Sequence, residues 1–559
     1  MEQNILVAVA WPYANGSIHL GQIAGCYLPA DIFARFHRMA GNNVLMVSGS
    51  DSHGTPVTLT ADSQNVSPEE IAIKYHEEFL DNWQRLGIEF DLFTSTRTSN
   101  HEKVVHDIFL KLLDQGCISK HEMNQPFCQT DNRFLADRYV EGTCPNCGDA
   151  GARGDQCDAC GQTLDPAELL NRRCRICQED SITTKSTEHF FLNLSQFQEQ
   201  LLKWVSSQSH WKPNVKNFTS SFIENGLKDR PITRDIEWGV VLPIDGYESK
   251  RIYVWFEAVI GYLSASIEWA KLNDEEDRWK DWWENPKAKA YYFQGKDNIP
   301  FHTIIWPSIL MACGNLNLPF DVPANEYLNL EGSKISTSRN WAVWLNDYLD
   351  HFDPDSLRYV LASNMPENGD ADFSWDEYVR ANNDELVATY GNLVHRVLTM
   401  LHKNFDGRVS EIPDSAKIEN ELLMKTNIEF EEIAELFSLA KFRLTLQKIM
   451  GVAQSVNKYI DQEEPWKLVK RDPEKAHIVL STCLSVINCI KIAIYPFLPF
   501  SSEKLNDILG FDTTVMDIGW NWDPRSISEG HIINKPEPLF KKIDPDMIDE
   551  ELTPTKRIL

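Results

Sequence analysis

An apolar run from Ile5 to Ala10 stops at a turn built from Pro12, Asn15 and Gly16. From Leu20 the apolar positions Ile23, Tyr27, Leu28, Ile32, Phe36 and Met39 recur at helical spacing, and Gly41 suits the helix end. Pro29 inside this stretch predicts a kink or a break. "NVLMVSGSD" then returns as a buried strand. Strand, helix, strand over residues 4 to 51 is a βαβ unit, so a parallel sheet is expected.

Two further helical patterns, "SPEEIAIKYHEEFLDNWQRLG" and "NHEKVVHDIFLKLLDQG", start at cap-type residues and stop at Gly. From 118 to 235 the texture changes to Cys, Gly and Asp, which reads as an inserted domain. "RIYVWFEAVIGYL" and "AKAYYFQGKDNIPFH" look strand-like, as if the parallel sheet resumes. Beyond 380, Leu386, Tyr390, Leu393, Val394, Val397 and Leu401 form one apolar stripe, and "STCLSVINCIKIAIYPFLPF" reads as a buried helix. A helical bundle is the simplest reading of this region. The expected class is α/β: a doubly wound parallel sheet of Rossmann type with a cysteine-bearing insertion, followed by an all-α bundle. The expected divisions are 1–117 and 236–325 for the two halves of the sheet domain and 118–235 for the insertion. They continue with 326–380 for a loop and stem-contact region, 381–540 for the bundle and 541–559 for a tail.

Composition narrows the class. The 559 residues are 42% hydrophobic and 24% charged, as in ordinary globular chains of about three domains. No run of 18 apolar residues occurs and no basic leader precedes Ile5, so a cytoplasmic protein without membrane association is expected. The formal net charge of −28 argues against DNA or general polyanion binding and leaves room for a nucleic acid bound locally through a few basic and aromatic residues. Of 12 cysteines, six form C-x-x-C pairs between 144 and 177. Such pairs in a large chain without a leader point to metal ligation rather than disulfides. Cys144-x2-Cys147-x9-Cys157-x2-Cys160 is the spacing of a closed, structural four-thiolate zinc site.

Two stretches carry chemistry. In "WPYANGSIHLGQIAG", His19 and Gly21 fall where a strand end meets a helix start, the place where parallel sheets bind phosphate. In "LEGSKISTSRN", a Gly-Ser-Lys loop with hydroxyls and a second cation, Arg339, suits a triphosphate. The G-x-G-x-x-G dinucleotide fingerprint does not occur at this corner.

Together, "PYANGSIHLGQ" and "KISTS" resemble the His-Ile-Gly-His and Lys-Met-Ser-Lys-Ser motifs of class I aminoacyl-tRNA synthetases. "SDSHGTP", "YVWFEAVIGY" and "GKDNIPFH" are similar to the methionyl-tRNA synthetase family in particular, in order along residues 4 to about 540. The resemblance implies methionine–tRNA ligase activity: ATP and L-methionine form methionyl-adenylate, which then charges initiator and elongator methionine tRNAs. It implies Mg²⁺ with the ATP. It implies catalytic roles for His19, Gln22, Lys334 and Thr337, and ATP contacts from His19, Gly21, Gln22, Gly295, Asp297, Lys334, Ser336, Thr337 and Ser338. Two positions depart from the family pattern. Gln22 stands for the second histidine, and Thr337 for the second lysine, so one cation is missing, which Arg339 is expected to supply. The alternatives are a synthetase for another apolar amino acid, such as leucine, and a tRNA-binding paralogue without activity.

The resemblance also implies a methionine pocket of Ala10, Trp11, Tyr13, Asp51, Trp255, Ala258, Val259, Tyr262, Asn298 and His302, with Asp51 holding the substrate ammonium. Trp11 and Val259 differ from some relatives and are expected to alter the pocket's shape. Some relatives carry a second knuckle, which implies a second metal site at Cys128, Asp131, Cys174 and Cys177; the alternative is a vestigial knuckle held by packing. Asn392, Arg396 and Trp466 would contact the anticodon, with Trp466 as stacking platform. Without room after the bundle for an appended tRNA-binding β-barrel, a monomer is expected.

Overall fold

The computed structural model describes residues 2–548 apart from 155, 156, 158, 161–163, 165, 167 and 547. Most of the expected 541–559 tail, and the side chains of Asp137 and Ser338, lie outside the described residues. Five parallel strands form the central sheet: β1 (Asn4–Val9), β2 (Asn43–Ser50), β3 (Leu92–Ser95), β4 (Lys289–Gly295) and β5 (Ala324–Asn325). Their order is β5-β4-β1-β2-β3, with Ala8 of β1 opposite Val47 of β2 and Tyr292 of β4. The chain leaves β1 toward β2 on one side and later returns to β4 on the other. The doubly wound order therefore reverses between β1 and β4, and ligands of such sheets bind at that crevice. Alternate residues of β1 serve two cores: Ile5, Val7 and Val9 pack on one face, Leu6 and Ala8 on the other.

After β1 the chain makes a turn at Leu20–Gln22, a π-helical stretch at Ile23–Tyr27, and then helix α1 (Leu28–Met39). Pro29 sits in the first turn of α1, just after the π stretch, where regular α-helical bonding is already interrupted. Gly41 ends the unit at φ 75°. The helix Pro68–Leu86 is capped as its sequence dictates. Ser67 Oγ accepts the Glu70 N–H at 3.2 Å, Glu70 Oε2 accepts the Ser67 N–H at 2.8 Å, and Gly87 closes it at φ 71°. The next helix, Ser99–Asp114, is capped by Thr98, two residues before the Asn100 at which its pattern begins.

One expectation is corrected. "RIYVWFEAVIGYL" contributes only the two-residue strand Arg251–Ile252; from Val254 it is helix α2 (Val254–Leu272). Phe256, Glu257, Val259, Ile260, Tyr262 and Leu263 are all buried, so the helix is covered on nearly every side and the amphipathic period is absent.

The insertion is built on two antiparallel strands, Ile118–Cys128 and Ile182–Leu192, paired over their whole length. Beyond their ends, a small sheet of Val140–Thr143, Ala152–Arg153 and Leu170–Cys174 carries the cysteines. The C-terminal region packs α3 (Asn392–Phe405), α4 (Lys417–Ser438), α5 (Phe442–Glu463), α6 (Pro465–Arg471) and α7 (Pro473–Ile494). The stripe Leu386, Tyr390, Leu393, Val394, Val397 and Leu401 faces the core, though its first part is a π-helical stretch, Ala381–Gly391. Among the described residues α7 alone is long and apolar enough to cross a membrane, and 89% of that window is buried inside the bundle.

A buried ion cluster joins bundle and sheet. The Arg358 guanidinium donates to Asp31 Oδ2 at 2.6 Å, to the Phe497 carbonyl at 2.7 Å and to the Leu86 carbonyl at 3.2 Å. Asp31 also accepts from Arg35 Nε at 2.9 Å. The two arginines hold the fully buried Asp31 carboxyl below its ordinary value against the opposing effect of burial.

Candidate functional site

The site lies at the carboxyl ends of β1 and β4. Ala10 N–H still bonds the Phe293 carbonyl at 3.0 Å, and beyond it Tyr13 bridges to Asp51. Ala14 N–H donates to the Asp51 carbonyl and Asp51 N–H to the Pro12 carbonyl, each at 2.8 Å. His19 caps the turn that follows, and Gln22 Oε1 accepts the His19 N–H at 3.0 Å. The Gln22 carbonyl end is thus used by the cap, which leaves its NH₂ as donor for a ligand. Burial lowers the His19 imidazole to about 4, so at neutral pH the ring is uncharged, and among the described residues its Nδ1 has no hydrogen-bond partner.

The lysine-bearing loop is a tight hairpin. Leu328–Leu330 pairs with Ser333–Lys334 across a two-residue turn, Glu331 and Gly332, both at positive φ (49° and 73°). Two-residue hairpin turns of this kind suit strand twist and favour Gly. Ser336 and Trp341 then exchange two backbone bonds of 2.9 Å around the turn Thr337–Arg339. Lys334, Thr337 and Arg339 are exposed.

Corner and loop meet. A Cβ at Gly21 would lie 3.1 Å from the His19 ring and 3.2 Å from Ile335 Cδ1. Leu20 N–H bonds the Val343 carbonyl at 3.2 Å, Leu345 N–H bonds the Ile18 carbonyl at 2.8 Å, and the His19 and Trp344 rings lie edge-on at 6.2 Å. Gly295 and Asp297 lie at the end of β4 on the same side, and Asp297 lines the neighbouring cavity.

That cavity, of about 560 Å³, is lined by Tyr13, His53, Trp255 and Phe301 among others. Trp255 is 45% exposed, donates from Nε1 to Tyr13 Oη at 3.1 Å and meets Phe301 edge-on at 4.2 Å. Trp11 fills the space left by two glycines: a Cβ at Gly49 would come within 2.5 Å of its ring, and one at Gly261 within 2.8 Å. Trp11 also meets Tyr262 edge-on at 6.4 Å. His302 Nδ1 donates to the Asn298 carbonyl at 2.9 Å, so its Nε2 accepts from Tyr262 Oη at 2.7 Å. Burial lowers His302 to about 4, which keeps this neutral tautomer. Ala258 and Val259 lie on α2 with Trp255 and Tyr262. Of the residues expected to hold methionine, Tyr13 and Trp255 line the cavity of about 560 Å³, and Ala10, Trp11, Asp51, Ala258, Val259, Tyr262, Asn298 and His302 are not among its lining residues.

Among the described residues, Asp51 is buried without a cation beside it. Burial, then the neighbouring Glu257 carboxylate, push its carboxyl well above the ordinary value, against one weak bond from His53 N–H at 3.4 Å. Such a group lacks a positive partner, and an ammonium would supply one.

The cysteines gather in two clusters whose ligand atoms all lie within 4.8 Å of one another: Cys144, Cys147, Cys157 and Cys160, and Cys128, Asp131, Cys174 and Cys177. In the first, the Cys144–Cys160 sulfurs are 3.9 Å apart and the Cys147–Cys157 sulfurs 3.6 Å. A tetrahedron with Zn–S near 2.3 Å requires edges of about 3.8 Å, so the donors fit zinc. In the second, Cys128 and Cys177 sulfurs are 3.5 Å apart, Cys174 Sγ is 3.1 Å from Asp131 Oδ2, and Asp131 N–H points to Cys128 Sγ at 3.3 Å.

Residues 5–398 match the family profile "tRNA synthetases class I (M)", and 409–553 match "Anticodon binding domain of methionyl tRNA ligase". A methionine–tRNA ligase of Thermomicrobium roseum is 47% identical over 576 residues, covering 99% of this chain and 98% of the relative. One from Dehalococcoides mccartyi is 51% identical over 551 residues, covering 99% of each. The structure of Mycobacterium tuberculosis methionyl-tRNA synthetase in complex with methionyl-adenylate matches with a TM-score of 0.79 at 25% identity, over 97% of this chain and 100% of that one. The chain belongs to the methionyl-tRNA synthetase family.

For a methionyl-tRNA synthetase, a second surface matters. Asn392 and Arg396 lie on α3, and the Arg396 guanidinium lies 5.4 Å from the Trp466 ring centroid and donates to Asp461 at 3.1 Å. Trp466 is 42% exposed at the start of α6, after Pro465. The three residues expected at the anticodon therefore comprise two on one helix and an open aromatic face beside it.

Sequence reasoning passed over several neighbours of the site. Glu257 is fully buried and accepts from His53 Nδ1 at 3.1 Å, with His101 Nε2 at 3.6 Å; the two imidazoles hold its carboxyl down although burial raises it. His53 and Glu257 stand inside "SDSHGTP" and "YVWFEAVIGY", so the motifs contained them, but no local pattern pairs them. His101 carries no signal in its helix. Arg234 lies 3.8 Å from the Tyr253 ring centroid and lines the cavity.

Proposed function

We propose that the cleft between the His19 corner and the Lys334 loop binds ATP and that L-methionine binds beside it, around Asp51, Trp11, Tyr13, Trp255, Tyr262 and His302. The enzyme is a methionine–tRNA ligase. Methionine's carboxylate attacks the α-phosphorus of ATP, pyrophosphate leaves, and a ribose hydroxyl at the tRNA 3′ end then takes the methionyl group. The chain's task is to position these reactants and stabilise the charge that builds on the phosphates.

The observation that carries this reading is the packing of Gly21 and His19 on Ile335 and Trp344 at the sheet's reversal point. His19, Gly21, Gln22, Gly295 and Asp297 receive the nucleotide from the sheet side. Lys334, Ser336, Thr337 and Ser338 receive it from the loop. The neutral His19 acts as a hydrogen-bond donor to phosphate, Gln22 donates through its amide, and Arg339 supplies the cation that Thr337 lacks. Mg²⁺ bound to the ATP would screen its phosphates. Asp51 takes the substrate ammonium, while Ala10, Trp11, Tyr13, Trp255, Ala258, Val259, Tyr262, Asn298 and His302 enclose the thioether chain. Met is polarizable and gains from contact with aromatic rings.

Zinc at Cys144, Cys147, Cys157 and Cys160 would cross-link the insertion; with four thiolates the site is closed and structural. A second zinc at Cys128, Asp131, Cys174 and Cys177 would do the same. Asn392, Arg396 and Trp466 read the anticodon of initiator and elongator tRNAs alike. We place the enzyme in the cytoplasm as a monomer. Methionine-dependent ATP–pyrophosphate exchange on the purified protein tests the reading, and exchange driven by another apolar amino acid in preference to methionine refutes it.

A further inference from the structure

Tyr327 stands between the two halves of the nucleotide site and has no role so far. It immediately precedes the hairpin strand Leu328–Leu330, and its backbone N–H donates to Asp370 Oδ1 at 3.0 Å. Its hydroxyl donates to Asp297 Oδ1. Its ring centroid lies 4.7 Å from Lys334 Nζ and 4.0 Å from Lys296 Nζ. The two lysines differ in what else holds them. Lys296 is fixed by Glu326 at 2.7 Å and Asp370 at 2.9 Å. Lys334 is exposed on the loop and, among the described residues, makes no ion pair. The Lys334 charge also reaches the Asp370 carboxylate, and the ring of Tyr327 gives its ammonium a resting place at contact range, because the face of an aromatic ring attracts a cation.

We propose that Tyr327 is a positioning residue for the activation step. Its ring holds the Lys334 ammonium ready for the triphosphate, and its hydroxyl orients the Asp297 carboxylate for the ribose. One side chain so ties the lysine loop to the turn after β4. In a chain with threonine at 337, where the family pattern has a second lysine, placing the remaining loop lysine carries more weight. The inference rests on the assignment of Asp297 and Lys334 to ATP given under Proposed function.

The test is ATP–pyrophosphate exchange by the full-length protein at saturating methionine, with KM for ATP and kcat measured separately. Wild type comes first: no methionine-dependent exchange there refutes the assignment of the site itself, not Tyr327. Tyr327→Phe keeps the ring and loses the hydroxyl, so KM for ATP rises about fivefold with kcat within about twofold of wild type. Tyr327→Leu loses both, so kcat falls about tenfold as well, because a displaced Lys334 no longer meets the charge as it forms. Methionine binding, read by intrinsic fluorescence, stays at the wild-type level in both. Should Tyr327→Leu fail to bind methionine, Tyr327→Met takes its place as the non-aromatic variant. An unchanged KM for ATP in Tyr327→Phe overturns the proposal. So does a kcat in the non-aromatic variant equal to that of Tyr327→Phe. A loss of methionine binding and melting temperature in every variant, with kcat and KM for ATP intact per active enzyme, assigns Tyr327 to the fold alone and overturns it too.

Discussion

Ile335 Cδ1 lies 3.2 Å from where a Cβ on Gly21 would be, so the lysine loop closes directly over the glycine of the histidine corner. The same added carbon would stand 3.1 Å from the His19 ring. Gly21→Ala therefore pushes on both halves of the nucleotide site at once. It is expected to lower kcat/KM for ATP about tenfold or more, since small misplacements of positioning groups are costly. Its melting temperature should change little, because one methyl group at a partly open corner removes no core packing. Exchange kinetics and a thermal melt check the two halves of this expectation.

Asp51 links affinity to stability. Its folded-state carboxyl is raised above the ordinary value by burial and by Glu257. The cost to the free protein is absent below the ordinary carboxylate pKa, grows as pH rises toward the raised value, and is complete only above that raised value. Asp51→Asn should thus stabilise the ligand-free protein at pH 7, by on the order of 1 kcal/mol, and lose methionine binding. Wild-type affinity for methionine should fall on acidification at a pH above the usual carboxylate range. His19 adds no titration near 6 to 7, because its value is lowered to about 4. Melting curves with and without methionine across pH read all of this.

The loop cations are separable. Lys334→Ala should lower the exchange rate about 10²- to 10³-fold, the effect of losing one donor to developing charge. Arg339→Ala should lower it roughly tenfold. An unaltered rate for Arg339→Ala beside a slow Lys334→Ala would leave the missing cation at Thr337 without a substitute.

Elemental analysis should find two zinc ions per chain. Cys144→Ser should remove one and destabilise the insertion, and Asp131→Ala should remove the other while leaving the first in place. One zinc in the wild-type protein would reduce the Cys128 cluster to a knuckle held by packing.

Trp466→Ala should weaken tRNA charging by about 5- to 150-fold, the equivalent of 1–3 kcal/mol of base stacking, and leave pyrophosphate exchange unchanged. Equal losses in both assays would take Trp466 out of RNA contact.

Much of the fold could be read where local pattern and tertiary role agree. β1 alternates between two cores and is apolar from Ile5 onward, and Ser67, Glu70 and Gly87 cap their helix by local bonds. The extent of α2 is hidden because the helix is covered on nearly all sides, which erases the helical period and makes its first residues look strand-like. The site divides in the same way. His19, Gly21 and Lys334 stand in compact motifs, whereas the His53–Glu257 pair joins residues 204 positions apart. Tyr327 acquires its contacts with Asp297 and Lys334 only when the hairpin folds against the end of β4. Nothing near these residues in the chain foretells such partners.

The most direct measurement is pyrophosphate exchange by the wild-type protein beside His19→Ala and Lys334→Ala, with methionine present and absent. Methionine-dependent exchange in the wild type, and its collapse by at least about a hundredfold in both variants, is the expected result. Exchange that ignores methionine, or that survives either substitution at the wild-type rate, would contradict a single ATP site closed by the corner and the loop.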